Sequence, residues 1–208
     1  MTMDEVYARN VMSYEEAMGI GLFPEMTERR VEDRLRDAGV PERFVGAEAD
    51  ERDLTHGRGV MLFGVQGSGK TTRAVGIMRG WMGGNAGDAR FVTSADLLTE
   101  IGATYSTDST ELSVLRRYGR CGLLVIDDLG KENPTDNALT KLWQVIDTRY
   151  GAMLPTVITT QYDLAGLVRE LGRRGGVETA KAIVSRLYET CQPVSTGNVD
   201  HRREKKNR

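Results

Sequence analysis

Histidine and cysteine are both scarce in this 208-residue chain: His56 and His201, Cys121 and Cys191, are all there are. None stands at metal-ligand spacing from another, so a structural zinc site is excluded, and the cysteines read as small apolar residues of a reduced interior. Long apolar runs are missing as well. No stretch approaches the ~20 residues that a membrane-spanning helix needs. The opening MTMDEVYARN lacks the apolar segment of a secretion signal. A cytoplasmic location without a membrane partner is expected. Net charge is almost absent too, −2 from 28 basic and 30 acidic side chains. There is therefore no overall attraction for nucleic acid or anionic lipid, and DNA binding would need a local basic patch.

What is present is the composition of an ordinary globular protein, 39% hydrophobic and 28% charged, with enough apolar material for a sizeable core. Residues 1–45 are polar and fit two short helices, one over Glu5–Met18 and one over Thr27–Ala38, the latter with Val31 and Leu35 four apart. Pro41 ends the second. Residues 46–58 read as a loop or linker. Strand and helix patterns then alternate. Val60–Phe63 is a short apolar strand and Lys70–Met82 a helix. Phe91–Val92 is a strand, followed by a helix capped by Thr93 or Ser94 with Leu97, Leu98 and Ile101 on one face. Leu112 and Leu115 suggest another helix. Leu123–Ile126 is a buried strand, and Leu139, Leu142, Trp143, Ile146 and Tyr150 keep helical spacing. Thr156–Thr159 is a strand, and Val177, Ala180, Val184, Leu187, Tyr188 and Cys191 trace one helical stripe. This order predicts an α/β fold, a parallel sheet covered by helices on both faces.

Gly64–Thr71 reads GVQGSGKT and fits G-x-x-x-x-G-K-[ST]. Glycines let the backbone turn several N–H groups toward a polyphosphate, and the helix that follows aims its positive end at the same charge. Gly64, Gln66, Gly67, Ser68, Gly69, Lys70, Thr71 and Thr72 form the candidate ATP cradle. Lys70 would reach the β- and γ-phosphates and the Thr71 hydroxyl would ligate Mg2+. The bland alternative is a glycine-rich turn with a surface lysine.

LLVIDD over Leu123–Asp128 has the form of a buried strand that delivers carboxylates to the sheet edge where open α/β sheets bind ligands. Asp127 would hold Mg2+ and Asp128 would orient the attacking water. Glu132 stands second for the water. Alone the segment says little, since buried strands often end in Asp; paired with the upstream glycine loop it says much more.

LVIDDLGKE over Leu124–Glu132, PTVITTQ over Pro155–Gln161, SRL over Ser185–Leu187 and GNVDHR over Gly197–Arg202 follow in order. With the phosphate loop they resemble the DnaC/DnaI-type replicative helicase loaders, with the IstB transposition ATPases as near relatives. The resemblance runs from about Val40 to Arg202. It implies an AAA+ P-loop NTPase with a five-stranded parallel sheet sandwiched by helices and no large separate lid. The implied division is a helical arm over 1–45 for binding the helicase, with helices that simply pack on the core as the alternative, an ATPase core over 46–200 and a basic tail over 201–208.

By the same resemblance Gln161 is sensor I, in a place where the family usually has Asn; the alternative is a polar strand cap. Arg186 is the arginine finger acting on a neighbouring subunit's ATP. It lies nine positions after Val177, about half a turn away in angle from the apolar stripe, so it is expected to project outward. The alternative is a solvated surface arginine, and Ala182 stands where relatives often have a second arginine. Arg202 is sensor II, or else part of a solvated or phosphate-binding basic end. Val40, Pro41 and Phe44 resemble the segment that packs on adenine. Tyr105 lies where relatives face single-stranded DNA, with burial beside Ile101 the alternative; Arg116, Arg117 and Arg120 could meet phosphates. Gln66, Ser68 and Thr72 depart from the family's usual loop and mark a divergent member of the kind that phages and mobile elements carry.

The implied function is a weak, partner-stimulated ATPase that self-associates or assembles on a ring helicase and delivers it to single-stranded DNA. The alternative is an IstB-like helper ATPase for a transposase. A small-molecule kinase, or a nucleotide-bound module without turnover, are further possibilities that an assay for phosphorylated product or released phosphate would separate.

Overall fold

The computed structural model describes residues 28–52, 54, 57–103, 111–132, 134–174 and 176–200. Five parallel strands form its single described sheet: β1 (Gly59–Phe63), β2 (Ala89–Thr93), β3 (Leu123–Leu129), β4 (Thr156–Thr160) and β5 (Cys191–Ser195), in spatial order β2-β3-β4-β1-β5. Parallel neighbours need crossovers, and the intervening helices supply them. These are α1 (Glu28–Asp37), α2 (Glu42–Val45), α3 (Lys70–Gly84), α4 (Ser94–Ala103), α5 (Glu111–Arg120), α6 (Asp136–Gly151), α7 (Leu164–Leu171) and α8 (Val177–Thr190). No described helix is long and apolar enough to cross a membrane.

The apolar strand residues split by the two-residue period of the pleat. Leu123 and Val125 join Val60, Leu62 and Val157 in a core with α1, α2 and α3, whereas Leu124 and Ile126 join Met61 and Ile158 in a second core with α4 to α8. Three layers result, helices over sheet over helices, as the alternating pattern requires.

Residues 28–45 belong to the first core. Val31 and Leu35, whose spacing suggested a helix and which the resemblance puts in a helicase-binding arm, are buried against α3 and the sheet. Arg34 fastens α1 by donating to Met82 O at 2.7 Å and Gly87 O at 2.8 Å, and buried Arg79 donates to Val45 O at 2.6 Å. The helix expected over Glu5–Met18 lies outside the described residues.

Several local expectations change. The segment read as a loop or linker is a loop, and it runs along α3, where Asp50 N–H donates to Gly76 O at 3.0 Å. A Cβ on Gly76 would stand 2.4 Å from Glu48 O and one on Gly80 2.7 Å from Asp50 O, so this glycine pair is what admits the strap. In α5 the inward residues are Val114 and Tyr118, while Leu112 is exposed. The stripe of α8 centres on Ala180, Ile183, Val184 and Leu187; Val177 and Tyr188 are exposed, and Cys191 has already left the helix for β5.

One buried cation ties the lower edge together. Arg149, 1% exposed, donates from Nε to Thr156 Oγ1, from one terminal nitrogen to the carbonyls of Tyr118 and Cys121, and from the other to Pro155 O, all within 2.7–2.9 Å. Four oxygens from the end of α5, the start of β3 and the approach to β4 thus share one guanidinium.

Candidate nucleotide-binding site

The strands all run the same way, so their C-terminal ends share one edge. β1 ends there in the Gly64 loop, β3 in the two aspartates and β4 in Gln161. A cleft of about 250 Å³ opens between them, lined by Gln66, Gly67, Gly69, Lys70, Thr71, Thr72, Asp128, Lys131 and Gln161 and by Arg43 and Phe44 of α2.

The loop is built to leave donors free. Gly64, Gly67 and Gly69 adopt φ of 152°, 80° and 84°, in the region that disfavours a side chain. The N-terminus of α3 has Gly69 in the capping position and no side-chain cap, which leaves its first amides for an anion. The outer side of the loop is braced by the chain after β5. Ser68 Oγ and Thr196 Oγ1 are 2.6 Å apart, and Thr196 N–H donates to Phe63 O at 2.9 Å. A Cβ on Gly67 would stand 1.9 Å from Asp200 Oδ1, so this glycine makes room for the brace. Ser68 and Gly64 therefore support the loop from outside the cleft, while the other candidate cradle residues line it. Lys70 Nζ donates to the carbonyls of Gly64 and Val65 at 2.9 and 2.7 Å.

Beneath Thr71 lies Asp127, 6% exposed. It accepts from Thr71 Oγ1 at 3.0 and 3.1 Å and from Thr159 Oγ1 at 2.5 Å. Burial is the main reason its carboxyl is pushed above the ordinary carboxylate range; the Thr159 hydrogen bond opposes this and the neighbouring Asp128 charge adds to it. A hydroxyl touching a buried carboxylate at the foot of a phosphate loop suits Mg2+, which takes hard oxygen ligands, few from protein and the rest from water and phosphate.

Asp128 is aimed by an irregularity. From Ile126 to Leu129, β3 spans three steps against two in β4, which is a bulge. Asp128 takes φ of 62°, its N–H donates to Thr159 Oγ1 at 2.8 Å, and its carboxylate turns into the cleft to meet Lys131 Nζ at 2.5 Å. Thr160 Oγ1 fixes the end of the bulge by donating to Leu129 O at 2.7 Å. Thr159 was legible as part of a sensor-like strand end, but not as the residue that orients both aspartates. Glu132 is turned aside: Ser94 Oγ and Gly130 N–H both donate to it, and it does not line the cleft.

Arg186 is not in this cleft and does not stand free. Its Nε donates to Asp147 Oδ1 at 2.6 Å, and its guanidinium lies 5.6 Å from the Trp143 ring centre and 5.5 Å from that of Tyr150. Because the stripe of α8 centres on Ala180 and Val184, position 186 falls on the flank facing α6 instead of directly outward. Arg116 and Arg120 are exposed on α5, and Arg117 pairs with Glu100 at 3.1 Å. Tyr105 and Arg202 lie outside the described residues.

Sheet order, phosphate loop and paired acids define an AAA+ P-loop ATP-binding protein. The chain is matched over residues 2–208 by the family model described as "IstB-like ATP binding protein", and it belongs to that family. Among solved structures it resembles the DnaC helicase loader, at 21% identity, TM-score 0.57, with 88% of this chain and 91% of that one covered. It likewise resembles DnaI, at 24% identity, TM-score 0.58 and coverage of 80% and 84%. The replication initiator DnaA bound to AMPPCP and single-stranded DNA aligns at 13% identity, TM-score 0.55, covering 83% of this chain and 46% of that one. These likenesses show a shared fold. No curated protein sequence matches the chain.

Proposed function

We propose that the chain hydrolyses ATP in this cleft and uses the cycle to deliver a ring-shaped replicative helicase onto single-stranded DNA. The observation that carries the hydrolytic part is the double use of Thr159, which holds Asp127 under Thr71 and turns Asp128 into the same cleft as Gln161. Lys70 and the amides of the loop and the α3 N-terminus grip the phosphates, and Phe44 covers the base. Asp127 and Thr71 hold Mg2+, whose charge, when bound, offsets that of the terminal phosphates. Asp128 accepts a hydrogen bond from the attacking water, and the Gln161 amide aligns water or terminal phosphate. Arg186 serves as the finger only in an assembly, after leaving its aromatic pair. Arg202 remains the proposed second sensor.

The test of the hydrolytic part is Asp128→Asn. ATP affinity should stay within about twofold, while phosphate release falls by about a hundredfold or more. Release at the unaltered rate would remove Asp128 from the reaction.

A helper ATPase for a transposase is the second reading, favoured by the family match across residues 2–208. With the ATP-bound chain as bait, retention of the cognate ring helicase but not of the transposase supports the loader. The reverse result supports the helper.

A further inference from the structure

Lys131 lines the cleft together with Asp128 and Gln161, and the reaction proposed above gives it no task. Its position is built in. Asp128 at φ 62° and Gly130 at φ 93° fold the chain back on itself, and Lys131 N–H donates to Asp128 O at 3.3 Å. The tight turn returns the side chain over the strand end, where its ammonium grips Asp128 Oδ2 at 2.5 Å. An aspartate held this way has one oxygen committed and is poorly placed to orient water.

The pair is also breakable. The two side chains are 39% and 35% exposed, and half-exposed ion pairs are weak. A third phosphate brings a denser negative charge than one carboxylate to the same wall, and an ammonium on a flexible stem follows the stronger field.

We infer that Lys131 reads the terminal phosphate. Without nucleotide or with ADP it holds Asp128; with ATP it turns to the third phosphate and releases Asp128 to the water. This rests on the ATPase reading of the cleft and makes Lys131 a positioning residue and a discriminator of ATP from ADP.

The test is titration calorimetry of the full chain with a slowly hydrolysed ATP analogue and with ADP, both with Mg2+, for the wild type, Lys131→Met and Lys131→Arg. Lys131→Met should lose about tenfold or more in affinity for the ATP analogue and keep the wild-type affinity for ADP, and Lys131→Arg should recover most of the loss. An unchanged preference in Lys131→Met overturns the inference, whether both affinities fall together or neither moves. A wild-type chain that binds neither nucleotide is a different result: it sinks the ATPase reading and this inference with it.

Discussion

Thr159 sits at the centre of the site although its type is unremarkable. Its single hydroxyl donates to Asp127 and accepts from the Asp128 amide. Thr159→Val keeps the shape and removes both bonds, leaving a buried carboxylate short of one donor. Magnesium-dependent ATP affinity should fall by about tenfold, with a smaller change in magnesium-free binding; equal losses in both would detach Thr159 from the metal site. Cys191 offers a second test at this scale. Burial raises its thiol from 9.0 to about 11, so the folded chain holds that proton more tightly than the unfolded one. The contribution is therefore complete below pH 9 and is lost as pH rises toward 11. Thermal unfolding should therefore drop across that window, and Cys191→Ala should flatten the drop.

At the scale of elements, legibility followed chemistry. The phosphate loop and Asp127–Asp128 were readable because a nucleotide demands those residue types at those spacings. β5 was not: Cys191–Ser195 carries Gln192 and Pro193, and as an edge strand it needs neither alternation nor a full set of donors. α7 is only eight residues long, yet Leu164, Leu167, Val168 and Leu171 keep helical spacing behind the Asp163 cap, so it was legible though not named above. Lys131 and Thr159 acquire their roles from contacts across a turn and between strands, which no spacing along the chain encodes. That the loop after α2 straps α3 was not readable, because its anchor is a missing side chain, Gly76, not a visible one. Gly76→Ala should push residues 48–50 off the helix and destabilise the fold by about 1–3 kcal/mol, read as a lowered denaturation midpoint with faster amide exchange at Asp50. An unchanged midpoint would mean the strap contributes nothing.

For the whole molecule, Arg149 joins parts that are distant in sequence. Arg149→Leu would leave the carbonyls of Tyr118, Cys121 and Pro155 buried without their donor, at a cost of about 3 kcal/mol or more. A chemical denaturation curve checks this, and a variant as stable as the wild type would show that the carbonyls find other donors. Assembly gives the other test at this scale. The finger proposed above requires Arg186 to exchange Asp147 and two rings for a neighbour's nucleotide, so on that proposal Arg186→Ala should bind ATP normally as an isolated chain and lose only the turnover gained on assembly. Full stimulation of Arg186→Ala would leave the arginine a packing residue of α6 and α8.

β1 lies between β4 and β5, and both of its neighbours come from the last third of the chain. During synthesis the glycine loop leaves the ribosome long before either flanking strand exists, so for most of translation it has no sheet to hold it. A truncated product ending before Cys191 would carry the complete phosphate signature and still lack one of the two strands that brace it. Closure of the sheet around the phosphate loop therefore comes late, when β5 pairs with β1.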